Sequence, residues 1–244
     1  MSPRATLATA ARVLTQLRRD PRTLALLLIV PCLLMVLLRY AFDGQPAAFQ
    51  RVGPPMIGLL PFTTMFVVTS IAMLRERTSG TLERLMSMPV GKLDLLAGYA
   101  LAFGAVAIVQ TAAVATLSLG PLGLDVVRPI PLVALAIANA LLGMALGLFV
   151  SAFATSEFQA VQFMPAVVLP QFLLCGLFVA RDQMAGWLDA VSAALPLTYA
   201  YDALALAAGP AALGSGFAVD MIVVVGVTLG ALMLGAATMR RRTA

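Results

Sequence analysis

Stretches of about twenty apolar residues, separated by short charged connections, recur along the chain. A bilayer core about 30 Å thick is crossed by roughly 20 helical residues. Six runs have this character: 23–38, 55–74, 95–119, 131–153, 163–180 and 217–238. They are continuously apolar, whereas the strands of a membrane barrel alternate apolar and polar positions. The pattern therefore predicts an all-α membrane protein, a single transmembrane domain over 1–244 with six transmembrane helices.

Positive charge is concentrated in alternate connections, which predicts the orientation of the chain. Lys and Arg are retained on the cytoplasmic side of a membrane. Twelve of the 16 lie in connections on one side: Arg4, Arg12, Arg18, Arg19, Arg22, Arg75, Arg77, Arg84, Lys92, Arg240, Arg241 and Arg242. The other side has Arg39, Arg51, Arg128 and Arg181. We expect an inner (plasma) membrane protein with both termini cytoplasmic. The arginines are dispersed with no aromatic stacking platform between them, so a nucleic-acid partner is not expected.

Residues 1–20 precede the first span and have helical amphipathic spacing. Six apolar residues fall within one arc of a helical wheel: Leu7, Ala10, Ala11, Val13, Leu14 and Leu17. Arg12 and Arg19 face away from that arc, which predicts an interfacial helix in the plane of the membrane. A merely solvated basic tail is the alternative. The first apolar run is too long for a cleaved signal peptide, and Asp20 before Pro21 predicts a bend into the span.

Composition excludes a water-soluble globule and most enzyme chemistry. Of 244 residues, 61% are hydrophobic and 11% are charged, and the mean hydropathy is +0.98. A soluble chain is about a quarter charged. Histidine is absent, which removes Ser-His and Cys-His nucleophile pairs and HExxH zinc sites. We predict no catalytic residue, no metal site and no cofactor bound by this chain. Cys32 and Cys175 lie in apolar runs and are interpreted as small buried residues.

The connection at 75–92 combines charge with a short apolar stripe. Thr81 is a candidate N-cap, Glu83 would complement the helix dipole in the first turn, and Pro89 would end the helix. The stripe has the spacing i, i+3 and i+4 and consists of Leu82, Leu85 and Met86. Such a stripe on a cytoplasmic loop suits a groove on a partner protein. The alternative is that it packs back on the membrane surface.

At these residues the chain resembles the permeases of type-2 ABC exporters. The matching positions of their first cytoplasmic loop are Arg75, Glu76, Gly80, Thr81, Leu82, Glu83, Leu85, Pro89 and Val90. Thr78 and Ser79 space Glu76 from Gly80 differently from the commonest form of the motif. The resemblance continues in three later segments: Glu157 with Gln159 and Ala160, the segment 170–176, and the segment 195–202. The family often has an arginine shortly after Asp202, where this chain has Leu204 and Leu206.

The resemblance implies a dimer of six-span subunits, each with an interfacial helix, a coupling helix at 75–92 and re-entrant helices at 181–216. The second copy would be the same chain or a related one, in contact with membrane lipid. The residues it assigns to ATPase coupling are Glu76, Arg77, Gly80, Thr81, Leu82, Glu83, Arg84, Leu85, Pro89 and Glu157. A P-loop needs GxxxxGK[ST], and Gly91-Lys92 is followed by Leu93. We therefore expect a separate ABC ATPase subunit dimer to bind ATP and Mg.

The second and fifth spans are expected to line a route between two copies. The predicted route residues are Phe62, Phe66, Pro170, Gln171 and Gly176. A buried amide without a partner costs about 1 to 3 kcal/mol, so Gln171 should face a polar cavity, the partner or a neighbouring helix. The spans offer Met, Phe and Leu with few fixed charges, which suits a hydrophobic drug or antibiotic first and a lipid second. Sugar chains usually need aromatic platforms, so a polysaccharide ranks third.

Three other classes of membrane protein are alternatives to a permease. A membrane aspartyl protease is suggested by Tyr201-Asp202 and Asp220, but its second motif, GxGD, does not occur at Asp220. A proton-coupled secondary transporter would need ionisable residues at mid-membrane and internal repeats, and neither is evident. A non-transporting membrane scaffold stays open, and binding of an ABC ATPase would argue against it.

Overall fold

A computed structural model describes residues 2–86 and 91–238, and their secondary structure is helical. The helices in chain order are α1 (Pro3–Arg18), α2 (Pro21–Ala41), α3 (Pro46–Thr78), α4 (Thr81–Met86), α5 (Lys92–Leu119), α6 (Pro129–Val150), α7 (Glu157–Phe163), α8 (Leu169–Leu174), α9 (Gly186–Ser192), α10 (Pro196–Ala208) and α11 (Ser215–Thr238). The predicted all-α membrane fold is confirmed.

Several helices begin with proline in their first turn, where its missing N–H has no intrahelical partner to lose. They are α1, α2, α3, α6 and α10. Asp20 caps α2, because its side chain accepts hydrogen bonds from the Thr23 backbone N–H at 3.2 Å and the Thr23 hydroxyl at 2.6 Å. These hydrogen bonds hold the pKa of Asp20 below its ordinary value. The bend expected at Asp20-Pro21 therefore lies between α1 and α2.

Within residues 2–86 and 91–238, five helices are long and apolar enough to cross a membrane, namely α2, α3, α5, α6 and α11. They contain the predicted spans at 23–38, 55–74, 95–119, 131–153 and 217–238, with the fourth ending in a short 3-10 turn after α6. The second span is much longer than predicted, since α3 has 33 residues. At 1.5 Å per residue it is about 50 Å long and exceeds the bilayer core.

The predicted fifth span, 163–180, is displaced and broken. Its helical path is α7, a π-helical segment Met164–Val168 and α8, so it begins at Glu157 and ends at Leu174. Pro165 lies in the π segment, and each proline removes one backbone donor, which accounts for the interruption. Gly176 has φ +100°, a conformation that side chains other than glycine rarely adopt, and the helical path ends just before it.

Polar contacts identify the two ends of the helix bundle. At one end Arg75 of α3 meets Glu157 of α7. At the other end Gln50 donates to the Gly123 carbonyl at 2.9 Å, and Arg128 donates to the Gly209 carbonyl at 2.9 Å. Those two contacts join the start of α3 and the end of α10 to the connection between α5 and α6.

The broken fifth path runs from one end of the bundle to the other. Its first residue, Glu157, is at the Arg75 end, whereas Leu177 lines a cavity with Ala47 and Arg51 at the start of α3. The chain then returns through α11, where Gly235 lies beside Leu96 and Phe149 at the Arg75 end. Both ends of the described chain therefore lie at the same end of the bundle, as an even number of crossings requires.

The region predicted as re-entrant, 181–216, contains α9 and α10. These two helices meet at 87°, and the bend falls at the break before Pro196. The buried face of α10 includes Leu197, Ala200, Ala203 and Leu204, all 0% exposed. Leu204 reaches the middle of α3, because a Cβ placed on Gly58 would lie 2.7 Å from a Leu204 methyl group.

The closest helix packing joins α3 to α6 through two glycines four residues apart. A Cβ on Gly143 would lie 2.2 Å from the Phe62 carbonyl oxygen, and one on Gly147 would lie 2.4 Å from the Phe66 carbonyl oxygen. The missing side chains let the two backbones touch, as in GxxxG helix pairs. The Thr69 hydroxyl adds a hydrogen bond to the Met144 carbonyl at 3.1 Å.

Two buried amides connect helices inside the bundle. Gln110 of α5 donates to the Leu27 carbonyl of α2 at 2.8 Å and to the Thr64 hydroxyl of α3 at 2.6 Å. Pro31 has no N–H to offer that Leu27 carbonyl, so Gln110 supplies the donor that the proline removes. Asn139 of α6 donates to the Gly58 carbonyl of α3 at 3.2 Å. In the hydrocarbon core of a bilayer no water is present to hydrogen-bond backbone carbonyl groups, so side-chain donors of this kind stabilise the bundle.

The amphipathic helix predicted at 1–20 corresponds to α1, and part of its predicted apolar arc packs on α5. Thr6, Thr9, Ala10 and Val13 are buried, while Leu7 is 63% exposed and Leu14 is 39% exposed. The reason is close packing on α5, where a Cβ on Gly98 would lie 2.5 Å from the Thr9 Cβ. Small residues meet α5, and the larger leucines of the predicted arc point outward.

Candidate functional site

The predicted coupling segment 75–92 begins as the last turn of α3 and continues into α4. Gly80 separates the two helices and has φ +71°, which permits the abrupt turn after Ser79. Thr81 is the first residue of α4. The predicted N-cap is therefore displaced by one residue, since the Gly80 carbonyl accepts the first helical bond from Arg84 at 3.1 Å.

Glu157 is joined to the coupling end of α3, although 82 residues separate it from Arg75. Arg75 donates two hydrogen bonds to Glu157, from Nε at 2.6 Å and from a terminal nitrogen at 3.0 Å. The Arg75 guanidinium holds the pKa of Glu157 below its ordinary value. The contact ties the start of the fifth crossing to the end of α3 that leads into α4, and no local sequence pattern indicates this pairing. We call this end of the bundle, with Arg12, Arg75, Glu76 and Glu157, the platform.

Glu76 is held by the interfacial helix. The Arg12 guanidinium of α1 donates to Glu76 Oε1 at 3.1 Å and also to the Tyr99 hydroxyl of α5. Arg12 lies over the Tyr99 ring, 5.7 Å from its centre. Arg12 faces away from the predicted apolar arc, and on that side it contacts a carboxylate and an aromatic ring. A second tie joins the Ser2 backbone N–H to Asp94 at 2.9 Å.

The remaining coupling residues are only partly described. The structure leaves Arg77 half-buried, and in the described part of the chain its Nε has no hydrogen-bond partner. Leu85 is half-buried and packs with the cluster that includes Ala10, Val13 and Tyr99. For Leu85 the structure thus favours packing back on the subunit over projection into a partner. Arg84 is exposed. The side chains of Leu82 and Glu83, and Pro89 as a whole, lie outside the described residues.

The route residues predicted on α3 lie inside the subunit. Phe62 and Phe66 are 0% exposed. They lie in the buried core with residues of α6 and α10, and their backbones touch Gly143 and Gly147. In this arrangement they are packing residues, and neither reaches a surface that a substrate could contact.

Gln171 is buried, but its amide group makes its hydrogen bond within its own helical path and not to a neighbouring helix. It is 4% exposed and donates to the Val167 carbonyl at 2.9 Å, within its own helical path. Its side-chain oxygen has no partner among the described residues. Pro170, the adjacent residue, is exposed. The amide therefore meets the requirement for a partner on its nitrogen only.

Gly176 has a backbone role instead of lining a cavity. It is buried, and a Cβ there would lie 3.1 Å from the Tyr201 ring. Because its φ is +100°, any side chain would be strained whatever the space available. A substitution at Gly176 therefore perturbs the fold and is a poor probe of a transport route.

Asp202 has an ion-pair partner, which the sequence did not identify. Arg181 bonds Asp189 at 2.8 Å and lies 3.6 Å from Asp202. The guanidinium expected shortly after Asp202 in related chains is thus supplied from about twenty residues upstream. All three residues belong to the region 181–216, and the contacts hold α9 and α10 to the turn that precedes them.

The fold defines the class of protein: a multi-span helical membrane protein with two ion pairs, Arg12 to Glu76 and Arg75 to Glu157, at one end of its bundle. A model of the ABC-2 type transporter family matches residues 4–207. The chain belongs to the ABC-2 type transporter family and is a membrane permease subunit of an ABC transporter.

Curated relatives are similar over part of their length. The chain is 26% identical over 154 residues to ABC transporter G family member 20 of Dictyostelium discoideum, covering 63% of this chain and 21% of that protein. It is 29% identical over 135 residues to the inner membrane transport permease YhhJ of Escherichia coli (strain K12), covering 54% of this chain and 36% of that protein. The chain therefore matches about a fifth of one relative and about a third of the other.

Proposed function

We propose that this chain is the permease subunit of an ATP-driven exporter that moves a hydrophobic or amphiphilic substrate out of the cytoplasm. The observation that carries the proposal is the continuous path from α3, the helix buried most deeply with α6, into the turn at Gly80 and α4. A push on α4 would act directly on a rigid helix in the centre of the subunit. The ATP and Mg would be bound by a partner ABC ATPase dimer.

The platform would transmit motion through two ion pairs. Arg75 to Glu157 connects α3 with the fifth crossing, and Arg12 to Glu76 connects α3 with α1. Closure of the ATPase would then move α1, α3 and the fifth crossing together as a rigid body. In this proposal Glu76 and Glu157 set the geometry of the platform, and the surface of α4 meets the ATPase.

Cross-linking at Arg84 tests the coupling proposal. A photoreactive phenylalanine at position 84 should cross-link to the ATPase in membranes, because Arg84 is exposed on α4. The same residue at position 51 is the matched control, since Arg51 is exposed at the opposite end of the bundle. Cross-links from position 51 and none from position 84 would remove α4 from the interface.

The route is proposed to run between two permease copies, along the outer face of the fifth crossing. That face is apolar and unpartnered within the subunit: Phe158 is 72% exposed, Leu173 52% and Leu169 49%. Pro165 and Pro170 are exposed on the same path and fit a helix that must bend. Phe62 and Phe66 would join such a route only if α3 and α6 separated, so we place them behind it.

Disulfide cross-linking of two copies tests this arrangement. In a background with Cys32→Ala and Cys175→Ala, Leu169→Cys should form oxidised dimers. Ile222→Cys is the control, because Ile222 is 70% exposed on α11, away from the fifth crossing. Dimers from Ile222→Cys alone would place the interface on α11 and contradict the route.

A hydrophobic drug or antibiotic is the proposed substrate, with lipid second and a polysaccharide third. The support is the apolar character of the exposed fifth-crossing face and the small number of aromatic platforms, since Trp187 is the only tryptophan. Substrate-stimulated ATP hydrolysis by the copurified complex, measured with amphiphilic drugs and with lipid-linked glycans, ranks these classes. ATPase binding without stimulation by any of them would favour the non-transporting scaffold.

Both termini are proposed to be cytoplasmic. The support is the charge asymmetry together with the position of α1 and of the last turns of α11 at the Arg75 end of the bundle. An impermeant thiol reagent applied to intact cells should label Asp125→Cys and spare Ser79→Cys. The reverse pattern would invert the orientation.

A further inference from the structure

A cavity of about 720 Å³ opens between α1, α2, α3 and α5, at the Arg75 end of the bundle. Its walls are apolar and come mainly from Leu26, Val30, Val67, Val68, Ile71 and Phe103. Leu26 lines it and is 63% exposed, so the cavity opens sideways out of the subunit. Its volume lies within the range of sites for drug-sized ligands. It uses the opposite face of α3 from Phe62 and Phe66, and the export route does not include it.

The two ends of the cavity differ in chemistry. Toward the start of α2 the lining becomes polar, with Gln16, Asp20, Thr23, Glu76 and Thr81. Along α2 the lining runs from Asp20 to Val30, which corresponds to about 15 Å of helix. An elongated apolar chamber with a polar mouth is suited to a molecule with one alkyl chain and one polar head.

The charges at the mouth favour a cationic group. The charged residues that line the cavity are Asp20, Arg75 and Glu76. Arg75 already donates two hydrogen bonds to Glu157. Glu76 bonds Arg12 through one oxygen, while its other oxygen is buried and has no partner among the described residues. Asp20 accepts two hydrogen bonds from Thr23 and one from the Arg22 backbone, and it also interacts with the positive charge of Arg75, but no cationic side chain donates a hydrogen bond to it among the described residues. Two carboxylates therefore face the mouth with their acceptor capacity unfilled.

The rim outside the carboxylates has the opposite charge. Arg18, Arg19 and Arg22 are exposed at the junction between α1 and α2, next to Asp20. A phosphate beside these guanidinium groups would be stabilised, as would an ammonium group beside the carboxylates. A headgroup that carries both charges, with an acyl chain attached, matches the sequence of rim, mouth and chamber.

We propose that this cavity binds one membrane aminophospholipid, with its ammonium group at Asp20 and Glu76, its phosphate at the arginine rim and one acyl chain between α2 and α3. The lipid would fill the space between α2 and the rest of the bundle. Binding is a property of the permease alone, so it can be measured without the ATPase and without transport.

Quenching by brominated lipids tests the site. The full chain with Trp187→Phe is placed in phosphatidylglycerol nanodiscs that contain a minor fraction of brominated phosphatidylethanolamine or brominated phosphatidylglycerol. Leu26→Trp reports from the cavity, and Ile29→Trp is the matched control, since Ile29 is 59% exposed on α2 and does not line the cavity. We expect Leu26→Trp to be quenched preferentially by the ethanolamine lipid, with roughly a tenfold difference in apparent affinity, because hydrogen bonds to charged groups are the strong ones. Ile29→Trp should show no preference.

Asp20→Asn identifies the group responsible. Asparagine keeps the N-cap of α2 but removes the charge, so the fold is retained while the preference at Leu26→Trp should fall. Asp43→Asn, at the far end of α2, should leave the preference unchanged. Equal quenching of Leu26→Trp by the two lipids would overturn the proposal. Quenching of Ile29→Trp without any quenching of Leu26→Trp would also overturn it, because protein from a second copy would then fill the cavity.

Discussion

The same sequence pattern, two glycines four residues apart, occurs in α6 and in α11 with opposite structural results. In α6, Gly143 and Gly147 lie against the backbone of α3, with no room for a side chain. In α11, Gly226 and Gly230 have nothing within 4 Å of the position where a Cβ would stand. The motif therefore permits close packing without requiring it.

The two helices also differ in burial along their whole length. In the most apolar 18-residue stretch, 61% of the residues are buried in α3 and in α6, against 11% in α11 and 17% in α2. All four helices are apolar enough to span. A lipid-facing helix and a buried helix have similar compositions, because lipid and the protein interior are equally apolar surroundings. Hydropathy alone thus cannot separate a central helix from a peripheral one.

Leucine substitutions in the two glycine pairs should have the most different effects on stability. Gly147→Leu forces a side chain into the Phe66 carbonyl and the Thr69 hydroxyl, and we expect a loss of about 3 kcal/mol or more, or failure to fold. Gly230→Leu should change stability by less than about 1 kcal/mol and can be stabilising, because leucine has the higher helix propensity. Unfolding of each purified variant by thermal or denaturant titration measures the difference. Equal losses would show that α11 is packed in the membrane in a way that one subunit lacks.

The attachment of α2 gives a prediction of intermediate size. Few α2 residues are buried, so apolar packing holds α2 to the bundle less strongly than it holds α6. The hydrogen bond from Gln110 to Leu27 should therefore supply a larger share of the free energy that attaches α2. Gln110→Leu should cost about 1 kcal/mol, since it leaves the Leu27 carbonyl without a donor.

Pro31→Ala sharpens that prediction. Alanine at 31 restores the local N–H for the Leu27 carbonyl, so Gln110→Leu should cost clearly less in the Pro31→Ala background than in the original chain. A cost that is the same in both backgrounds would show that Gln110 acts through Thr64 instead. The four proteins form one thermodynamic cycle, measured by the same unfolding titration.

The smallest effect is expected at the platform. Arg75 and Glu157 are 59% and 52% exposed, so their coupling energy should be about 0.2 to 1 kcal/mol despite two short hydrogen bonds. The pKa of Glu157 is lowered, so this contribution is complete above the ordinary glutamate pKa and is lost as the pH falls through the lowered value. A double-mutant cycle with Arg75→Gln and Glu157→Gln at neutral and acidic pH measures it. A coupling above about 2 kcal/mol would mean that the pair is buried in the assembled transporter.

Most of the architecture could be predicted from apolar runs and charge. Five of the six predicted spans match helices. The start of α2 also lies where Asp20 and Pro21 predict the bend. The fifth span was misplaced because Pro165, Pro170 and Gly176 act on the backbone, while hydropathy averages over them. Which residues of α1 pack on α5 could not be predicted, since this contact depends on Gly98 of another helix.

The class of the protein and most of its long helices follow from the sequence, because both depend on local composition or on short spacing. Tertiary structure alone decided which glycines pack, that Glu157 joins Arg75, that Arg12 joins Glu76 and that Arg181 serves Asp202. These partners are distant in sequence, and nothing in one segment encodes the identity of the segment beside it. The cavity at Asp20 belongs to the same category, since it exists only where four helices fail to fill the space between them.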